Sequence, residues 1–168
     1  MSRLLVTIDT NQLDEVTIER LREHMPAGTD IATTSVSERE RKRPMPGLDE
    51  HVLEVAVWDE STLDNAVWGD EGHVALQKNA ILIIAGSTLP PADKRTDGQR
   101  RQLRDAMIFV AHVKDGRHIL ITDDARGFAN HGRRDKLEAL GKTKICKSAE
   151  VFAMSTADLA ALSAPVPG

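Results

Sequence analysis

Two short, largely apolar runs in this chain stop directly on carboxylates. Residues 4–8 are followed by Asp9, and residues 118–122 are followed by Asp123 and Asp124. Runs of this length and composition are typical of strands buried in a parallel sheet. The carboxyl ends of such strands meet at one edge of an open α/β sheet, where ligands bind. We therefore expect these acids to lie close together.

The segments around these runs alternate between helical and strand patterns. Apolar side chains recur on one side of a helix at residues 99–114, and a tight turn then leads into the strand at 118–122. A helix that feeds a strand this closely is half of a βαβ unit, so an α/β fold is predicted. Other predicted segments are helices at 13–25, 135–140 and 148–162, strands at 31–34 and 143–146, a mainly helical middle at 47–86, and a loop at 124–132. Within the middle, a helix is favoured at 75–85, and a buried strand at 81–84 is the alternative.

Composition narrows the class of protein. The chain has 168 residues, 40% of them apolar and 29% charged, which predicts one globular domain. The single Cys146 excludes an internal disulfide and a zinc site built from several thiolates. No leader pattern and no apolar run of membrane-spanning length stand out, so a cytoplasmic protein without membrane contact is expected.

Two further acids extend the expected cluster. Glu38 follows the predicted strand at 31–34, and Asp105 lies beside the apolar face of the helix at 99–114, where an unpaired charge is costly. Each acid alone has an ordinary explanation as a turn residue or a solvated helix residue. Together, crowded carboxylates repel one another, and a divalent cation relieves that repulsion. The set therefore predicts a Mg²⁺ or Mn²⁺ site.

Four short motifs contain these acids: Asp9-Thr10-Asn11, Ser35-Val36-Ser37-Glu38, Asp105-Ala106-Met107-Ile108, and Ile121-Thr122-Asp123-Asp124 followed by Phe128. In their order along the chain, they resemble the motifs of PIN-domain nucleases. Each motif alone is weakly specific. Their order, their element types and their span over residues 3–152 together make a fairly specific match.

The resemblance implies a PIN-like three-layer α/β/α sandwich and a metal-dependent endoribonuclease that hydrolyses RNA phosphodiester bonds. The domain would span residues 1–152, with a helical insert at about 47–98, and a C-terminal helix and tail would follow at 153–168. One or two Mg²⁺ or Mn²⁺ ions would be held by Asp9, Glu38, Asp105 and Asp124, with Asn11, Thr122 and Asp123 in supporting positions. Glu40 competes with Glu38 for its role.

Basic residues flank the acids, although the formal net charge is −4. The candidate RNA-binding residues are Arg39, Arg43, Arg100, Arg101, Arg104 and Arg126. A basic rim around the acids would suit the phosphate backbone of RNA, whereas the ordinary alternative is a set of solvated faces. The resemblance leaves two roles open, the toxin of a toxin–antitoxin pair and a stand-alone RNA-processing nuclease. The partners it implies are a small antitoxin-like protein and a second copy of the chain.

Two rival functions remain open at this point. The first is a phosphohydrolase in which Asp9 is the nucleophile, although that class usually has a second Asp two positions on, where this chain has Asn11. The second is a non-catalytic module, PIN-like or receiver-like, that binds a partner. The presence of all four acids disfavours a degenerate PIN module.

Overall fold

The structure is a computed structural model that describes residues 3–9, 13–34, 52–53 and 71–164. Within these ranges five strands form one sheet in the order β3-β2-β1-β4-β5, and every pair is parallel. The strands are β1 Leu5–Ile8, β2 Asp30–Thr34, β3 Val52–Leu53, β4 Ile119–Ile121 and β5 Lys144–Cys146. The predicted α/β class with a central parallel sheet is confirmed.

Described helices lie between β1 and β2, between β3 and β4, and between β4 and β5, as parallel pairing requires. In the described ranges the helices are α1 Glu15–His24, α2 Glu71–Ala85, α3 Asp97–Lys114, α4 Arg133–Gly141, α5 Ser148–Ala153 and α6 Thr156–Ala161. None of these helices combines the length and the apolarity that crossing a membrane requires.

Side chains alternate across the strands and divide the core into two clusters. In β4, Leu120 belongs to a cluster with buried residues of α2, α3 and α4. Its neighbours Ile119 and Ile121 belong to a second cluster, with residues of α1, α5 and α6. Since successive residues of a strand point to opposite faces, helices cover both faces of the sheet. The arrangement fits the predicted three-layer α/β/α sandwich.

Local sequence fixes the position of the long helix α3. A capping box begins it: Gln99 N donates to Thr96 Oγ1 at 3.2 Å, and Thr96 N donates to Gln99 Oε1 at 2.9 Å. Its buried side includes Leu103, Met107 and Val110. The resulting register also brings Asp105 to the buried side of the helix, where 8% of the residue is exposed.

The segment after β4 is helical rather than the predicted loop. Residues 124–132 form a π-helical turn at Ala125–Ala129 and a 3₁₀ turn at Asn130–Gly132. The Asp124 carboxylate caps the first turn, and the fully buried Phe128 anchors it in the core. The loop prediction is wrong because hydrophobic periodicity does not reveal a side-chain cap or one buried ring.

Two other segments differ from the prediction. Val52–Leu53, predicted to be helical, pairs with β2 as a short strand. The predicted helix at 148–162 is two helices, because Ser155 starts a new one. Its Oγ accepts from Asp158 N at 3.1 Å, and its N donates to Asp158 Oδ2 at 3.2 Å. Residues 47–51 and 54–70, which belong to the predicted insert, lie outside the described ranges.

A buried arginine closes the amino edge of the sheet. Arg117 Nη2 donates to the Val6 carbonyl at 2.8 Å and to Asp30 Oδ1 at 2.8 Å, and Nη1 donates to Asp115 Oδ2 at 3.0 Å. These bonds join β1, β2 and the turn that follows α3. They give Nη1 and Nη2 of a buried charge their partners, whereas Nε has no hydrogen bond to the described residues.

His112 lies between two threonine hydroxyls at the same edge. Its Nδ1 is 2.8 Å from Thr7 Oγ1 and its Nε2 is 2.6 Å from Thr143 Oγ1. Because the Thr143 hydroxyl donates to the His118 carbonyl at 2.8 Å, it accepts from His112 Nε2, and Nδ1 accepts from Thr7. Burial first, and then the charges of Arg117 and His118, lower the pKa of His112 to about 3. A neutral imidazole therefore ties α3 to β1 and to the start of β5.

Candidate functional site

Asp9 lies at the carboxyl edge of the sheet, directly after the central strand. Its backbone N donates to the Ile121 carbonyl at 2.9 Å, which continues the pairing of β1 with β4 beyond the end of β1. The residue is only 2% exposed. Its Oδ2 accepts from Thr122 Oγ1 at 2.9 Å. The carboxylate is thus held in one orientation against the end of β4.

Thr122 connects Asp9 to the next acid. The same hydroxyl that donates to Asp9 accepts a hydrogen bond from Asp124 N at 3.1 Å. A hydroxyl has one hydrogen and two lone pairs, so both bonds are compatible. Thr122 is 3% exposed, and its N donates to the Cys146 carbonyl at 3.0 Å. One buried side chain therefore sets the positions of two acids from two strands.

The carboxylate of Asp124 divides its two oxygens between two tasks. Oδ1 accepts from Arg126 N at 2.9 Å and from Gly127 N at 3.1 Å, and so caps the π-helical turn. Oδ2 faces the α-carbon of Gly127: a Cβ added there would lie 3.4 Å from this oxygen. The turn thereby fixes the direction of Asp124 as well as its position.

Asp105 approaches the same point from α3. A Cβ added at Gly127 would lie 3.0 Å from Asp105 Cγ and 2.5 Å from Asp105 Oδ2, and the second distance is one that real Cβ atoms essentially never show. Two carboxylates, one from a helix and one from a strand end, therefore meet over the bare α-carbon of Gly127. Any larger residue at this position would displace one of them. Gly127 was not among the predicted site residues, because the sequence marks it only by its place three positions after Asp124.

The other predicted site residues have different outcomes. Asp123 turns away, because Oδ1 accepts from Ser148 N at 2.8 Å and Oδ2 from Ser148 Oγ at 2.7 Å, which joins β4 to the start of α5. Asp123 therefore has a structural contact with Ser148, and its predicted supporting role stays a prediction. The predicted residues that lie outside the described ranges are Asn11, Glu38, its competitor Glu40, Arg39 and Arg43.

The predicted basic residues surround this edge unevenly. Arg126 is exposed, and its carbonyl accepts a hydrogen bond from Arg133 Nη1. Arg104 precedes Asp105 on α3 and is half-buried. Arg101 and Arg100 are exposed one turn earlier, where Arg100 Nη1 lies 3.4 Å from Asp97 Oδ1. Arg133 was not among the predicted site residues.

The chemistry of these side chains fits a hard divalent cation. Carboxylate oxygens are the ligands that Mg²⁺ and similar ions prefer. Two carboxylates brought to one glycine repel each other unless a positive charge is nearby. Within the described ranges, no three His, Cys, Asp or Glu side chains converge closely enough to form a metal site by themselves. Asp105 and Asp124 are therefore a pair to which Asp9 is connected through Thr122.

No family model, no curated protein and no solved structure matches this chain. Its activity is therefore inferred from its own residues.

Proposed function

We propose that this protein is an endoribonuclease that hydrolyses RNA phosphodiester bonds with Mg²⁺ or Mn²⁺ as the cofactor. One observation carries the proposal: Asp105 and Asp124 meet over Gly127, at the sheet edge where Asp9 ends the central strand. The same three acids belong to the motifs that resemble those of PIN-domain nucleases. Geometry and sequence pattern thus support the same set of residues.

The residues have distinct tasks in this proposal. Asp105 and Asp124 would hold the cation, with Asp9 and Glu38 as the further acids expected to complete the site. When bound, the ion supplies a water of lowered pKa and stabilises the leaving oxygen of the phosphodiester. Thr122 positions Asp9 through its 2.9 Å bond, and the amides of Arg126 and Gly127 orient Asp124. Arg104 and Arg126 attract the anionic backbone of the substrate.

The test is cleavage of a mixed pool of structured and unstructured RNA with Mg²⁺, with Mn²⁺ and with a chelator. We expect cleavage by the unaltered protein with metal, and none with the chelator. Asp105→Asn and Asp124→Asn keep the side-chain shape but remove a charge, so both should reduce cleavage to the level of a control without protein. Asp135→Asn, an exposed acid on α4, is the matched control and should cleave normally. Full activity in Asp105→Asn, or activity in the chelator, would overturn the proposal.

The geometry of Asp9 does not favour its use as a phosphohydrolase nucleophile. The residue is 2% exposed and its Oδ2 already accepts from Thr122. A nucleophilic carboxylate needs an oxygen that can approach the phosphorus atom in line. The same experiment tests the non-catalytic alternative. Folded protein that binds RNA but does not cleave it with Mg²⁺ or Mn²⁺ would support a binding module.

A further inference from the structure

A groove lies between the end of α2 and the start of α4. It has a volume of about 390 Å³ and is lined by Leu82, Ile83, Gly86, His131, Arg133 and Lys136. Leu82 is 45% exposed, although its helix packs against both α3 and α4. The groove therefore combines an open apolar wall with polar groups on its opposite side.

The charges of this lining have one sign. Three of its six residues carry basic side chains, and none is acidic. The apolar residues come from α2, whereas the basic ones come from the start of α4 and the turn before it. A ligand that fits would present an anionic group to α4 and a less polar surface to α2. A ribonucleotide unit within an RNA strand has this division, with its phosphate on one side and its sugar and base on the other.

Hydrogen bonds connect the groove directly to the acid site. Arg133 Nη1 donates to the carbonyl of Arg126, and Arg126 N donates to Asp124 Oδ1 at 2.9 Å. Arg133 thus lines the groove and contacts the turn that orients Asp124. His131 and Gly132, both in the left-handed region with φ of 58° and 71°, then turn the chain from that turn into α4. The groove and the acid site are therefore joined through Arg133 and the turn that Asp124 caps.

We propose that this groove binds one nucleotide of the RNA substrate beside the bond to be cleaved. This inference rests on the proposed function, because RNA is the substrate it assumes. Arg133 and Lys136 contact the phosphate, and Leu82 and Ile83 contact the sugar or the base. The groove then sets the position of the strand relative to Asp105 and Asp124 before any metal is bound.

The experiment measures binding of short fluorescein-labelled single-stranded RNA by fluorescence anisotropy in the presence of a chelator, so that cleavage does not contribute. Two variants alter the groove, and each has a matched control. Leu82→Glu adds a negative charge, and its control Val74→Glu changes a residue of similar exposure, 42%, two turns earlier on α2. Lys136→Gln removes a positive charge, and its control Lys142→Gln changes an exposed lysine at the far end of α4. Far-UV circular dichroism checks the fold of all four.

We expect Leu82→Glu to weaken binding by roughly tenfold or more, because the added carboxylate repels the backbone. Lys136→Gln should weaken binding by roughly threefold and lower the slope of log affinity against log salt by about 0.7, the loss of one phosphate contact on a single strand. Both controls should bind like the unaltered protein. Unchanged binding in both groove variants would overturn the inference and leave an acidic protein segment as the ligand to test.

The two proposals fail in different ways. If the unaltered protein cleaves RNA and the groove variants bind RNA normally, the nuclease proposal is supported and the groove proposal is contradicted. If RNA binding depends on Leu82 and Lys136 but no metal-dependent cleavage occurs, the nuclease proposal is contradicted and the groove is supported as an RNA site.

Discussion

At the scale of single residues, the site depends on one hydroxyl and one missing side chain. Thr122 donates to Asp9 and accepts from the backbone of Asp124, so it sets the distance between two strand ends. Gly127 leaves space in which Asp105 and Asp124 meet. Neither residue has a charge of its own. Both determine the positions of the charged carboxylates around them.

Replacing Thr122 with Val removes both hydrogen bonds and keeps the volume. Because Asp9 and the amide of Asp124 each lose a partner in a buried place, we expect a loss of about 1–3 kcal/mol in the free energy of unfolding. Cleavage should fall by roughly tenfold to a hundredfold, as for other residues that orient metal ligands. Urea denaturation and the RNA assay measure the two effects. Thr122→Ser, which keeps the hydroxyl, is the control, and equal activity of the Val and Ser variants would contradict the role given to Thr122.

Gly127→Ala should abolish cleavage through sterics alone. The new Cβ would lie 2.5 Å from Asp105 Oδ2, so the Asp105 carboxylate must leave the position it has beside Gly127. The RNA cleavage assay is the measurement. Gly98→Ala is the matched control, since its nearest contact would be Thr96 Oγ1 at an ordinary 3.8 Å. A Gly127→Ala protein with normal cleavage would show that the two acids need not be adjacent for activity.

At the scale of helices and strands, Gly141 at the end of α4 lies directly against side chains of α3. A Cβ added there would lie 2.6 Å from Val113 Cγ2 and 2.8 Å from Phe109 Cζ. Phe109 is fully buried, so it has little room to move. This contact sets the packing of α4 on the helix that carries Asp105.

Gly141→Ala tests this packing. Helix propensity alone would favour Ala by about 0.5–1 kcal/mol. Overpacking a filled core costs about 1–3 kcal/mol. We expect the second effect to dominate and the thermal midpoint to fall, as measured by calorimetry. Gly98→Ala is again the control, and a raised midpoint in Gly141→Ala would mean that the helices separate at little cost.

Elements with a strong period were predictable from the sequence, and side-chain geometry was not. The apolar runs at β1 and β4 and the stripe of α3 follow directly from hydrophobic patterning. The turn at Ala125–Ala129 depends on a cap by Asp124 and on the burial of Phe128, which no periodicity reveals. Likewise, Asp123 and Asp124 look equivalent in the sequence. Only the packing of α5 shows that Asp123 binds Ser148.

At the scale of the whole molecule, the sheet has two edges with different properties. The carboxyl edge gathers acids, whereas the amino edge is closed by Arg117 and by the neutral His112. Hydrogen bonds at the amino edge join β1, β2 and the start of β5 to α3. The two histidines whose pKa is lowered, His112 and His118, both belong to this amino edge.

The stability of the fold should decrease as the pH falls below about 6.5. The pKa of His112 is lowered from 6.5 to about 3 in the folded protein, so the unfolded chain binds more protons between these values. The free energy of unfolding therefore decreases as the pH falls through this window. Above pH 6.5 the contribution of the neutral His112 is fully present. Burial and Arg117 also lower the pKa of His118, which adds in the same direction. Urea denaturation at pH 7 and pH 5 measures the difference.

The contribution of His112 can be isolated with His112→Gln. This variant should be less stable at pH 7 and should lose less stability between pH 7 and pH 5, since one of the two histidines with a lowered pKa is gone. His131→Gln, at an exposed position, is the control. If His112→Gln and the unaltered protein lose the same amount of stability, His112 is not the source of the pH dependence.

Binding of Mn²⁺ tests the central claim, a divalent-cation site built from these acids, most directly. Titration followed by the electron paramagnetic resonance signal of free Mn²⁺ compares the unaltered protein with Asp105→Asn/Asp124→Asn. We predict saturable binding by the unaltered protein and an affinity lower by roughly tenfold or more in the variant. Equal binding by the two proteins, or no binding by the folded unaltered protein, would contradict a cation site at Asp105 and Asp124.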